Sequence, residues 1–247
     1  MPSPRRRPHA VVALLAALLL TGCEAALDVR VELDRNGAGT LAVTVSADAE
    51  MLARAEEAGA DPCGELAAAG RGLPGWEVQD ETLPTVEGGG RRVELRTEVA
   101  GPADLEARSG QLARALSAPE VALLEGFTVE LEDRTVRLQG RAGLMPTPVV
   151  AELGLQPQEV VDLLEGSGAF RYTVRALLPG PVLRANATSV PPQGQPGELV
   201  WEIPPGQSVA LDAVAERPQT LGLLLVGGAV SGVLLLGGGL LLVLRRR

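Results

Sequence analysis

The chain has 247 residues, of which 22 are basic and 31 acidic. All 22 basic residues are arginine, three within residues 5–7 and three within 245–247, so the chain between them carries 16 arginines against all 31 acids, a balance of −15. Such a charge repels nucleic-acid phosphates and anionic headgroups at long range. It argues against nucleic-acid binding and against general adhesion to an acidic bilayer surface.

The residue types that are missing argue against catalysis. The single histidine is His9, and lysine does not occur. After removal of residues 1–22, Ser-His-Asp, Cys-His and Ser-Lys sites, Schiff-base chemistry and histidine-ligated metal centres are all excluded. Residues 206–210 (GQSVA) resemble a nucleophile elbow, but Ser208 has no base to activate it. We predict a non-enzyme with no catalytic residue, metal or cofactor.

Residues 1–22 have the pattern of a lipoprotein signal peptide. Three arginines precede an apolar run over residues 10–20, about 11 residues, which is too short for a bilayer that needs about 20. The run closes with Leu20-Thr21-Gly22-Cys23, which resembles a bacterial lipobox, where the cysteine becomes the lipidated first residue of the mature chain. Export by the twin-arginine route is disfavoured by the residues that follow the arginines. We predict acylation of Cys23.

The chain ends in a second apolar segment. Residues 221–244 carry no charge and would extend roughly 36 Å as a helix, enough to cross a membrane. Residues 245–247 are arginines, which the positive-inside rule places in the cytoplasm. A cleaved sorting signal is the alternative, but residues 217–220 (RPQT) lack an LPxTG-like motif.

These segments predict a protein of the plasma membrane. Residues 23–216 form the exported domain on the extracytoplasmic side, 217–220 a juxtamembrane linker, 221–244 a transmembrane helix and 245–247 a cytoplasmic basic tail. Gly228 and Gly232 give that helix a small-xxx-small face that allows self-association.

The exported domain is predicted to alternate hairpins with helices. The turn at residues 34–39 faintly resembles a calcium loop but lacks the spaced acidic ligands. The order of hairpin followed by helix repeats three times along the chain, which suggests internal duplication. We predict an α+β fold: a curved, mainly antiparallel sheet with helices packed on one face, plus one C-terminal transmembrane helix. The predicted segments are a hairpin of residues 27–33 and 41–45, helices 49–58 and 61–70, strands from 76 and at 93–99, helix 103–116, a hairpin of 127–131 and 136–138, helix 157–165, and strands only over 169–215.

Cys63 and Asn186 each carry a chemical group that needs an interpretation. If Cys23 is acylated, Cys63 lacks an internal partner in an oxidising compartment. It is either a small buried apolar residue near a helix start or one half of an intermolecular disulfide. Asn186 opens a glycosylation sequon with Thr188, which we interpret as chance in a bacterial chain.

Three features of the chain occur together. The lipobox precedes a strand that begins near Leu27, a residue block runs from Leu178 through Asn186 and Trp201 to Leu211, and arginines close the chain. In these features the sequence resembles the LppM family of actinobacterial envelope lipoproteins, and the block from Leu178 to Leu211 matches in residues. Residues 48–125 match in pattern alone. The resemblance implies an exported α+β domain that binds envelope lipids or glycolipids and is not an enzyme.

The residues supply candidates for such a ligand. We predict that a lipid pocket is lined by leucine, valine and alanine together with the large aromatics, and that a phosphorylated headgroup is bound by two arginines four residues apart on one strand face. For each aromatic the alternative is ordinary core packing. The alternative function is a non-enzymatic scaffold that packs into a membrane complex through its transmembrane helix. The candidates are Trp76, Phe127, Phe170, Trp201, Arg171 and Arg175.

Overall fold

The structure, a computed structural model, describes residues 24–57, 61–84, 89–116, 124–143, 161 and 170–219. Ten strands and three helices lie in these ranges. They are β1 Ala25–Leu33, β2 Gly39–Ala47, α1 Ala49–Glu57, α2 Pro62–Arg71, β3 Glu77–Leu83, β4 Gly90–Val99, α3 Pro102–Leu116, β5 Leu124–Leu131, β6 Thr135–Gly143, β7 Phe170–Leu177, β8 Val182–Ala185, β9 Glu198–Glu202 and β10 Ser208–Glu216.

The first hairpin follows directly from its sequence. Alternating apolar residues bury one face of β1, and Leu27, Val29 and Val31 are at most 4% exposed. The Asp34 carboxylate closes the turn by accepting hydrogen bonds from the backbone N–H groups of Asn36 and Ala38, at 2.7 and 3.0 Å. This Asx-type bonding fixes the turn and hence the register of β1 with β2.

Six strands form the larger sheet, in the order β3-β4-β2-β1-β7-β9. Every neighbouring pair is antiparallel except β1 and β7, which are parallel. Because β7 places Tyr172 beside Leu27 and Val174 beside Val29, the buried faces of the two strands coincide.

The helices pack on the buried face of this sheet. Helix α2 starts where Asp61 caps it, its carboxylate accepting from the Gly64 N–H at 2.8 Å, and Pro62 occupies the first turn. Helix α2 contacts β2, β3 and β4, and α3 contacts β2, β4 and β5.

Four strands form a second sheet, in the order β5-β6-β10-β8. One hydrophobic cluster contains residues of both sheets, among them Val174 and Trp201 of the larger sheet and Leu138 and Leu211 of the smaller. The two sheets therefore share a core.

The predicted fold class is wrong in its sheet architecture. We expected one curved sheet with helices on one face, whereas the strands divide between two sheets. The strands after residue 169 separate: β7 and β9 extend the larger sheet, while β8 and β10 join the second hairpin. A period-two pattern shows that a strand has one buried face, but not which strand pairs with it.

The transmembrane part of the predicted fold class is corrected as well. No helix within the described ranges is long and apolar enough to cross a membrane. The signal peptide, Cys23, the segment 221–244 with Gly228 and Gly232, and the arginines at 245–247 lie outside those ranges. So does the predicted helix 157–165 apart from Val161, which is helical and buried.

The local predictions agree better with the structure. The predicted hairpins, the helices near 49–58, 61–70 and 103–116, and the late strands all appear, with ends displaced by a few residues. Short-range patterns determined these elements.

Candidate ligand-binding groove

An open groove of about 540 Å³ lies between α3 and the β5–β6 hairpin. Helix α3 contributes one wall and the two strands the other. The groove follows from the contact of α3 with β5, the most extensive helix–strand contact of the described residues. The lining residues are Glu106, Gly110, Arg114, Glu125, Gly126, Phe127, Thr128, Gln139, Gly140 and Arg141.

A β-bulge and a buried serine shape the floor. The register of β5 against β6 shifts between Leu124 and Gly126, and Gly126 has φ +108°, which favours glycine. The bulge directs the N–H of Phe127 to Ser109 on α3, whose hydroxyl accepts it at 2.9 Å and donates to the Glu106 carbonyl at 3.2 Å. The serine therefore holds helix and hairpin together beneath the groove.

Glycines on both sides of the groove, Gly140 on β6 and Gly110 on α3, keep it open. A Cβ at Gly140 would lie 2.8 Å from the Phe127 ring and 2.9 Å from the Gly126 carbonyl. A Cβ at Gly110 would meet only Arg114, at 3.7 Å. The first position tolerates no side chain, whereas the second could hold one that points into the groove.

The rim of the groove is polar and carries both signs of charge. Arg141 and Glu125 form an exposed ion pair at 3.6 Å. Glu106 and Arg114 form no ion pair with the described residues. The rim therefore offers donors and acceptors to a ligand with hydroxyl or phosphate groups.

The predicted aromatic candidates do not share one pocket. Phe127 lines the groove but is only 1% exposed, whereas Trp76 immediately precedes β3 and Trp201 lies on β9. Phe170 begins β7 and is partly buried against the core. Trp76, Phe127 and Trp201 are at most 8% exposed, which is the core packing that we weighed as the alternative.

The two arginine candidates lie on one face of β7, opposite the buried Tyr172, Val174 and Ala176. Arg175 is bound by the Asp28 carboxylate at 2.7 Å and by Glu198 at 3.0 Å, and hydrogen bonding to Asp28 raises the pKa of the guanidinium. Arg171 is more open and reaches Glu24 at 4.0 Å. Because Phe170 points to the other face, it and the arginines cannot line the same pocket.

A second charged cluster joins β3, β4 and α2. Arg91 donates to Asp80 at 2.8 and 2.9 Å and to the helix cap Asp61 at 3.1 Å. This hydrogen bonding lowers the pKa of Asp80 and raises that of Arg91. Cys63 is fully buried below the cluster, and burial raises the pKa of its thiol. Within the described ranges, no group of three or more acidic, histidine or cysteine residues is placed to hold a metal ion.

A solved structure resembles this chain. It is the NMR structure of the folded domain of LppM from Mycobacterium tuberculosis, 13% identical, covering 81% of this chain and 94% of that one with a TM-score of 0.44. The resemblance to the LppM family drawn from the sequence is confirmed as a resemblance. No protein-family model and no curated protein matches the sequence.

Sequence reasoning missed the groove and its support. Ser109 interrupts the apolar face of α3 between Leu105 and Leu112, and all three are fully buried. A polar residue at an apolar position of a helix was the available signal. Gly110, Gly126 and Gly140 have no periodic pattern, so nothing in the sequence indicated that they meet.

Proposed function

We propose that this protein is a lipid-anchored envelope protein whose exported domain binds the polar part of an envelope lipid or glycolipid and catalyses no reaction. The lipobox at residues 20–23 supports the anchor and a location on the extracytoplasmic side of the plasma membrane. The groove between α3 and the β5–β6 hairpin is the observation that carries the binding proposal.

The chemistry of the groove favours a headgroup or glycan over an acyl chain. Phe127 is its one large apolar lining residue and is almost wholly buried. A site for an acyl chain needs walls of exposed apolar side chains, since unpaired polar groups facing a hydrocarbon cost free energy. Arginine, carboxylate, amide and hydroxyl groups on the rim match the hydroxyls and phosphates of a polar ligand.

Filling the groove at Gly110 is expected to abolish binding while the fold remains intact. Gly110→Leu places a side chain in the groove on a helix that prefers leucine to glycine. Native mass spectrometry of the full chain, released from its own membranes in mild detergent, measures whether ligand mass accompanies the protein. We expect a bound mass in the unaltered chain and its loss in Gly110→Leu.

Gly110→Ala is the matched control. Its Cβ has ordinary contact space, so the groove stays open and the ligand should be retained. An unaltered chain that carries no ligand, or a Gly110→Leu variant that keeps it, would contradict the proposal.

A further inference from the structure

The end of the larger sheet at which β1 begins is already hydrogen-bonded at the residue after Cys23. The backbone N–H of Glu24 donates to the Asp48 carboxylate at 2.6 Å, and the Asp48 N–H donates to the Glu24 carbonyl at 3.0 Å. Strand β1 starts at the next residue, Ala25. Only Glu24 lies between Cys23 and the first residue of the strand. We call this end of the larger sheet the anchored end.

Strand register brings other chain segments to this same end. Ala25 lies beside Ala47 of β2 and Phe170 of β7, and Ala47 lies beside Arg91 of β4. The opposite end of β1, eight residues on, is roughly 26 Å away at the rise of an extended strand. There the Arg217 guanidinium donates to the Arg35 carbonyl at 2.7 Å, in the turn after β1.

The first outward-facing row of side chains at the anchored end has a distinct composition. Register aligns Arg92, Ser46, Ala26 and Arg171 across β4, β2, β1 and β7. The two arginines are exposed, and they flank two small residues. At three strand spacings, about 14 Å separates their backbones.

Both arginines are open to a partner. Arg92 forms no ion pair with any described residue, although Glu81 is its neighbour on β3. Among the described residues, Arg171 has an ion pair with Glu24 alone, at 4.0 Å, and 68% of its side chain is exposed. The third outward-facing row, which contains Arg30, Arg175 and Arg96, differs from the first row. Its Arg30 and Arg175 each form an ion pair with an acid at 2.8 Å or less.

We infer that this anchored end of the larger sheet faces the phosphate-bearing surface of the extracytoplasmic leaflet, with Arg92 and Arg171 on lipid phosphates and β1 directed away from the membrane. The inference rests on the proposed acylation of Cys23. Because Ala26 is three residues after Cys23, the row lies within about 10 Å of the anchoring residue, which is about one Debye length at physiological salt. Long arginine side chains reach toward such a surface while their stems stay on the sheet.

This orientation does not conflict with the negative charge of the domain. Long-range repulsion opposes adhesion of a free domain to an acidic surface, but a covalent anchor keeps the domain close to that surface despite the repulsion, and the arginines then determine which end faces it. Arg92 and Arg171, as the exposed cations of this first row, reduce the repulsion locally.

Depth-dependent fluorescence quenching tests the orientation. The full acylated chain is placed in phosphatidylcholine–phosphatidylglycerol vesicles that contain a headgroup-nitroxide lipid. A fluorophore is attached at Ser46→Cys near the anchor or at Arg35→Cys at the far turn, with the labelled unaltered chain as background for Cys63. We expect quenching several-fold stronger at position 46 than at 35. Equal quenching, which a domain lying flat would give, or stronger quenching at 35 overturns the inference.

A charge test separates contact from mere tethering. The double variant Arg92→Gln, Arg171→Gln is expected to reduce quenching at position 46 severalfold, while its control, Arg30→Gln, Arg96→Gln on the third row, leaves it unchanged. An unchanged signal in the first variant overturns the role of these arginines. The intact mass of each sample reports acylation independently: a chain without an acyl group at Cys23 refutes the proposed function itself, whereas an acylated chain with equal quenching refutes only the orientation.

Discussion

Replacing Asn186 with alanine is expected to lower the free energy of unfolding by about 1–3 kcal/mol, because it leaves the buried indole N–H of Trp201 without a partner. The Asn186 side-chain oxygen accepts from the Trp201 indole N–H at 2.8 Å and from the Asp212 N–H at 2.9 Å. Its amide donates to the Ala210 carbonyl at 2.6 Å. Trp201 lies on β9 and is 1% exposed, while Asp212 and Ala210 lie on β10, so one side chain connects the two sheets.

A double-mutant cycle isolates this connection. Trp201→Phe removes the indole donor while keeping an aromatic ring, so Asn186→Ala should cost less by about 1 kcal/mol or more in that background. Urea denaturation followed by circular dichroism measures each step. A loss below about 0.5 kcal/mol for Asn186→Ala, the range of an ordinary surface substitution, would contradict the role assigned to it.

The contacts of Asn186 bear on the glycosylation sequon that this residue opens. Asn186 is used inside the fold, and Thr188 accepts from the Glu202 N–H through its hydroxyl at 3.1 Å. Both polar residues of the sequon thus have structural partners. The interpretation of the sequon as chance stays a prediction.

Substituting alanine at Gly70 is expected to destabilise the protein by about 1–2 kcal/mol. A Cβ there would lie 2.2 Å from Leu95 Cδ2 and 3.0 Å from Val78 Cγ2, and Leu95 is fully buried. Overpacking of this kind costs about 1–3 kcal/mol. The gain from replacing a helical glycine, about 0.5–1 kcal/mol, offsets part of that cost.

The same substitution at Gly110 supplies the control, with the opposite sign. It also replaces a glycine within a helix, but its Cβ meets only an arginine side chain at 3.7 Å. Thermal unfolding should therefore show a lower Tm for Gly70→Ala and a slightly higher Tm for Gly110→Ala. Equal shifts at both positions would show that helix propensity, and not the close approach of α2 to β4, determines the outcome.

Local structure was predictable because it depends on residues close in sequence. The cap Asp61, the turn at Asp34 and the alternation of Leu27, Val29 and Val31 act over a few positions. The parallel pairing of β1 with β7 joins residues about 145 apart, such as Asp28 and Thr173. No local pattern encodes such a pairing, and the division into two sheets follows from it.

The candidate site shows the same limit. Alternation correctly placed Arg171 and Arg175 on one face, but it could not show that Asp28 and Glu198 already bind Arg175. The groove depends on a bulge at Gly126 and on a serine from another element. Both arise from tertiary contacts, so predicting them required the fold.

The central claim is that the chain is anchored to the envelope through lipid on Cys23. Intact-mass and peptide mass spectrometry of the protein, isolated from cells fed an alkyne fatty acid, tests it most directly. The account predicts a mature chain that begins at Cys23 with acyl groups on that residue, and a Cys23→Ser variant that carries none and is lost from the membrane fraction. A mature chain with an unmodified Cys23, or a serine variant that still incorporates the fatty acid, would contradict it.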